Sequence, residues 1–206
     1  MQIVDVRPSD EVEEAAWIGP RLHPFEAFDA GSVIPTGFDS YARLDHEQPG
    51  LLPQNAAAAL IEILPAQGDI WIALWEGYGF LYPEQGIKWL TASSKSEPPS
   101  EPPVLPWRTP PYPDRRRRRI KLPHRNYLLY RGPASQIAGW MEGPNLWWPD
   151  DRSWCVASEI DLPWTYVGGA ESLIARVMAE PKLGAKPLSL DESTLARDHP
   201  ELGERP

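Results

Sequence analysis

Residues 69–76 read Asp69-Ile70-Trp71-Ile72-Ala73-Leu74-Trp75-Glu76. Successive side chains of a strand leave on opposite faces, so Ile70, Ile72 and Leu74 point one way and Trp71, Ala73 and Trp75 the other. Both sets are apolar. A strand of that kind is stable only when each face is covered, so the segment predicts a sheet with protein packed on both sides. Gly77-Tyr78-Gly79 follows as a turn, and residues 87–90 are the expected hairpin partner.

Working outward, residues 126–131 form a second expected strand, closed by Gly132-Pro133. Residues 154–160 form a third, with Trp154, Val156, Ser158 and Ile160 on one face and Cys155, Ala157 and Glu159 on the other. Residues 32–34 and 41–44 are shorter extended candidates around Pro35-Thr36-Gly37. Helices are expected over 8–18, capped by Ser9; over 55–64, stopped by Pro65; over 134–142; and over 170–181, where Leu173, Ile174, Val177 and Met178 make a buried stripe. The pattern predicts an α+β fold, a mixed or mainly antiparallel sheet flanked by helices. Residues 1–91 and 120–185 make one domain, residues 92–119 an exposed Pro/Arg-rich loop, and residues 186–206 a polar C-terminal tail.

Composition narrows the function classes. In 206 residues there are 25 prolines and 15 glycines, which favours short elements and excludes collagen, coiled coil and an all-helical bundle. The formal charge is −9, which opposes non-specific contact with nucleic acid or anionic lipid. Arg115, Arg116, Arg117, Arg118 and Arg119 are the local exception, an expected anion-binding spot on an acidic body. Cys155 is the single cysteine, so an intramolecular disulfide and a cysteine-rich zinc site are excluded. The first residues lack a signal-peptide pattern, and no apolar stretch is long enough to span a bilayer. These features point to a cytoplasmic protein away from membranes.

The stretch Pro144-Asn145-Leu146-Trp147-Trp148-Pro149-Asp150-Asp151-Arg152-Ser153-Trp154-Cys155-Val156-Ala157-Ser158-Glu159-Ile160-Asp161 continues through Thr165-Tyr166-Val167-Gly168-Gly169 into a helix. Together with Val33-Ile34-Pro35-Thr36-Gly37-Phe38-Asp39-Ser40-Tyr41-Ala42-Arg43, Trp75-Glu76-Gly77-Tyr78-Gly79 and Pro123-His124-Arg125-Asn126-Tyr127-Leu128-Leu129-Tyr130-Arg131-Gly132-Pro133, it resembles a family of uncharacterised actinobacterial proteins. The resemblance covers most of residues 15–185. It implies no activity and assigns no site residue.

The chemistry-bearing residues do not assemble into a catalytic set. Cys155 sits in an apolar strand, where a cysteine is ordinarily a small core residue, and the charge of Glu159 would raise its thiol pKa. Asp150, Asp151, Glu159 and Asp161 form the densest acidic group, but their spacing fits no calcium loop, and the two Asp before Arg152 suit a turn. His23, His46, His124 and His199 include no i, i+3 or i, i+4 pair of metal-ligand type. Gly168-Gly169 lacks the pattern of a nucleotide-binding loop and suits a turn into a helix. No cofactor and no metal is expected.

The ten tryptophans stand out instead. The step Trp147-Trp148, flanked by Pro144 and Pro149, is the kind of aromatic anchor that interfaces use. The expected function is a non-enzymatic domain that binds a macromolecule, in the first place a protein, through Trp147 and Trp148, with Tyr78 and Tyr166 second. The alternative is an enzyme on a small molecule, with Glu159 or Asp161 as base and Cys155 or His124 assisting. A weaker one is contact with a nucleic-acid backbone through the arginine run, against the acidic charge of the chain.

Overall fold

The computed structural model describes residues 5–47, 49–50, 52–66, 68–78, 116–123, 125–140, 143–195 and 198–199. Nine antiparallel strands make one sheet: β1 (Arg7–Ser9), β2 (Ser40–Asp45), β3 (Asp69–Trp75), β4 (Ile120–Lys121), β5 (Asn126–Pro133), β6 (Leu146–Trp148), β7 (Trp154–Ser158), β8 (Trp164–Gly169) and β9 (Lys186–Pro187). Across the sheet the order is β1, β5, β3, β6, β7, β8, β2, β9, and β4 joins β1 on the outer edge of β5. Among the described residues the α-helices are α1 (Gln54–Ile63) and α2 (Glu171–Ala179), with short 3-10 turns elsewhere. The described residues are mainly β: the expected mainly antiparallel sheet is present, with only a few short helices beside it.

The alternation read in residues 69–76 holds. Ile70, Ile72 and Leu74 join a core with Ala56, Ala59 and Leu60 of α1, Ile137 and Trp140, and Leu173, Ile174 and Val177 of α2. Trp71 and Ala73 join a second core with Ala15, Trp17, Ile18, Ala30 and Ile34. The sheet is thus covered by helices on one face and by irregular chain on the other. α1 stops where predicted, because Leu64 precedes Pro65 and is extended. Met178 stands apart from the other stripe residues of α2, since its side chain is exposed.

Three expectations change. Residues 8–18 are not a helix: Arg7–Ser9 pairs with β5 and Val12–Ala15 is a single 3-10 turn. Pro8 suits an edge strand, where its missing N–H costs no ladder bond. Gly168 and Gly169 do not turn the chain but lie inside β8, between β2 and β7. A Cβ on Gly168 would sit 2.6 Å from Phe38 Cδ2 and 2.8 Å from Tyr41 Cε1, so the glycine makes room for rings laid across the strand. The expected polar tail is docked over its described part. Lys186–Pro187 pairs with β2, Leu188 and Leu190 pack on the irregular face, and His199 is buried.

Arg43 explains that docking. Its guanidinium lies 2.8 Å from Asp45, contacts Glu192 and His199, and stacks over the Trp164 ring at 5.3 Å. Burial would lower its pKa, but the charges of Asp45 and Glu192 outweigh that and raise it. A buried cation demands anionic partners, and the C-terminal segment supplies one. The hairpin expected at 87–90 and the loop over 92–115 lie outside the described residues.

Candidate functional site

The two tryptophans chosen from the sequence are not at the surface. Trp147 is 0% and Trp148 1% exposed. Adjacent strand residues point to opposite faces, so Trp147 packs edge-on against Trp154 at 5.5 Å on the helical side, and Trp148 against Trp17 at 6.2 Å on the irregular side. The step is a pin through the sheet, and the surface-anchor expectation is corrected on that ground. Tyr78 is buried, 5.4 Å from the Trp75 ring, and its hydroxyl accepts from Asn145 Nδ2 at 3.3 Å. Tyr166 is buried on the irregular face, where burial pushes its phenol pKa up. Trp89 and Trp107 lie outside the described residues.

Of the residues named for the enzyme alternative, Cys155 lies apart from Glu159 and Asp161. Cys155 is fully buried in the irregular-side core, and burial raises its thiol pKa, so it is held as the neutral thiol. Glu159 and Asp161 do come together, both on one cation: Arg125 Nη2 lies 2.7 Å from Glu159 and 3.0 Å from Asp161. Arg125 is itself stacked on Trp75 at 4.7 Å. His124 lies outside the described residues.

Arg117, Arg118 and Arg119 of the arginine run are turned onto the protein's own acids. Arg117 reaches Asp10 at 3.4 Å. Arg118 makes a two-pronged contact with Glu13 at 3.0 and 2.5 Å, and that bond holds the Glu13 carboxyl below its ordinary pKa. Arg119 Nε donates to Glu76 at 2.7 Å. Residues 120–121 then enter the sheet as β4. The expected free anion site is therefore a strap for Arg117, Arg118 and Arg119; Arg115 lies outside the described residues.

A site the sequence did not indicate lies on the irregular face. A groove of about 390 Å³ is lined by Phe25, Phe28, Val33, Leu162 and Leu195, with Arg125, Glu159 and Asp161 at its charged end. Pro24 opens a 3-10 turn over Phe25–Ala27, and Phe28 follows in the left-handed region at φ 49° and ψ 44°. A bulky side chain there costs about 1–3 kcal/mol and persists only where neighbours over-determine it. They do so here: the Phe28 N–H donates to Phe25 O at 3.1 Å, and the Phe28 carbonyl accepts from the Thr194 N–H at 2.8 Å. Both rings remain in solvent, 44% and 41% exposed, with centroids 5.4 Å apart.

The turn is braced from below. Asp29 Oδ1 accepts the Ser32 N–H at 2.9 Å, and Asp29 Oδ2 lies 2.8 Å from His23 Nδ1. The signal available in the sequence was His23-Pro24-Phe25-Glu26-Ala27-Phe28-Asp29, two aromatics three apart in a Pro-led segment with neither strand nor helix period. Among the described residues no helix is long and apolar enough to cross a membrane. No protein-family model, curated protein or solved structure matches this chain.

Proposed function

We propose that the chain is a protein-binding module whose surface is the groove under Phe25 and Phe28, and that its occupant is a basic peptide segment with an apolar anchor. The observation that carries this is the aromatic pair itself. Among the described residues the exposed large apolar side chains are Phe25, Phe28 and Met178, and the first two stand together at a concave surface. Exposed aromatics at a concavity, rimmed by polar groups, are the usual form of an interface anchor.

Charge supports the choice of occupant. Glu159 and Asp161 line the groove against Arg125, Glu26 lies between the two rings in sequence, and the whole chain is at −9. Complementary charge speeds encounter and sets register, while the apolar anchor supplies affinity. The strained turn presents both rings already fixed, so little ordering cost remains to be met on binding.

The test is selection of random octapeptides on the full chain, followed by fluorescence anisotropy with the enriched peptide. Enrichment of an aromatic or large aliphatic residue beside Lys or Arg is expected. The Phe25→Ala/Phe28→Ala variant should bind at least about tenfold more weakly, as loss of an interface anchor implies. Equal binding by that variant, or no enrichment at all, would overturn the proposal.

A further inference from the structure

We infer that His23, Asp29 and Asp191 form a binding site for a divalent transition-metal cation of the Zn²⁺ type. One imidazole nitrogen and one oxygen from each carboxylate all lie within 4.8 Å of one another. The donors come from residues 23, 29 and 191, so no sequence spacing announces them; the fold alone brings them together. One nitrogen and two carboxylate oxygens are a donor set that first-row divalent cations accept, with water completing the sphere.

The donor atoms stand close to the spacing a metal needs, and small side-chain movements close the difference. Ligand atoms about 2.1 Å from one ion, at angles between square and tetrahedral, are separated by about 3.0–3.4 Å. His23 Nδ1 and Asp29 Oδ2 stand 2.8 Å apart, so opening by a few tenths of an ångström admits the ion between them. On binding, the imidazole nitrogen that coordinates gives its proton to solvent or to the other ring nitrogen, and the carboxylates bind as anions. The hydrogen bond between His23 and Asp29 accounts for two of these residues in the metal-free protein. It does not account for Asp191.

The backbone holds all three in place. The His23 N–H donates to the Gly31 carbonyl at 2.8 Å. The next two bonds bracket Asp191: the Gly31 N–H donates to Leu190 O at 2.9 Å and the Ala30 N–H to Glu192 O at 2.8 Å. Asp29 is oriented by the Ser32 N–H on its other oxygen, the kind of outer contact that fixes a metal ligand. Gly31 completes the frame, because a Cβ there would sit 2.4 Å from His23 Nδ1 and displace the ring. Side chains on so fixed a backbone need little ordering to receive an ion.

The experiment is a Zn²⁺ titration of the full chain, stripped of metal beforehand, in competition with a chromophoric chelator near neutral pH. One Zn²⁺ per chain is expected, with a rise in Tm on saturation. Asp191→Asn and His23→Gln should each weaken binding by at least about tenfold, in line with losses seen on disturbing metal sites. Asp191 is exposed, so Asp191→Asn should keep the metal-free Tm of the parent and lose only the rise with Zn²⁺. Absence of saturable binding, or equal affinity in the parent and both variants, would overturn the inference. Peptide binding in the Phe25/Phe28 groove is read separately and does not enter this result.

Discussion

The two faces of the sheet are equally dry but are covered by different kinds of chain. On one side α1, α2 and the 3-10 turn Ala134–Gly139 lay regular apolar stripes across the strands. On the other, residues 12–38 and 188–190 cover the strands with 3-10 turns, bends and a docked C-terminal segment. Helices satisfy their own backbone and need only apolar contact to pack on a sheet. Irregular chain must find partners for its backbone elsewhere. It does so through the side chains of Asp29 and Ser32 and through backbone bonds from Ala30 and Gly31 to Glu192 and Leu190, and the exposed rings and the His23–Asp29–Asp191 group gather in that same layer.

If both faces are true cores, breaking the indole pin should cost the same from either side. Trp147→Ala empties the helical side and Trp148→Ala the irregular side, and each should destabilise by about 3–5 kcal/mol, the usual cost of deleting a buried tryptophan. Urea unfolding followed by circular dichroism measures both. A far smaller loss at Trp148 would show the irregular layer to be looser than the helical one. Asn145 gives the next largest effect. Its Oδ1 accepts the Trp75 N–H at 2.7 Å and its Nδ2 reaches Tyr78 and Ser158, so one amide ties β3 to β7 in the interior. Asn145→Ala should cost about 1–3 kcal/mol, the penalty of orphaned buried partners, in the same assay.

The same contrast explains what was legible beforehand. Strands β3, β5 and β7 and helices α1 and α2 follow from periodicity, because each packs a regular stripe against a regular neighbour. β6 did not, since Leu146–Trp148 is short, enclosed between prolines, and resembles an exposed turn as readily as a core strand. β8 was hidden by Gly168-Gly169, whose smallness serves the rings of Phe38 and Tyr41 rather than a change of direction. Residues 186–199 look like a tail because their partners are distant in sequence: Glu192 pairs with Arg43 of β2. For the site, tryptophan abundance drew attention to the largest rings. Burial claims just those first, and it left the two phenylalanines of a strained turn outside.

Those phenylalanines offer the reverse of the indole test. Phe25→Ala/Phe28→Ala removes as many aromatic side chains as deleting both Trp147 and Trp148, yet from solvent. Stability should change by no more than about 0.5 kcal/mol, as for surface positions generally. Unfolding of the double variant measured beside Trp148→Ala checks it. A large loss would mean the rings hold the turn together, and the aromatic pair would then be structural.

The smallest effects belong to the arginine strap, and here salt and acid separate its members. Arg118 and Glu13 are exposed, so Arg118→Ala should lower Tm slightly at low ionic strength and not at all in high salt. Arg119 is more enclosed, and its bond to Glu76 should survive screening. Burial alone would raise the Glu76 carboxyl pKa, but hydrogen bonds from Asn126 and Arg119 outweigh it and hold the group below its ordinary value. A carboxyl depressed in the folded state stabilises fully above its unfolded pKa, about 4.3 for Glu, and the contribution disappears as pH falls through the folded value. The Tm gap between the parent and Arg119→Ala should therefore be constant from neutral pH down to about 5 and close below about 4. A gap that persists unchanged into acid would mean that Arg119 acts through packing and its contact with the Arg117 carbonyl rather than through Glu76.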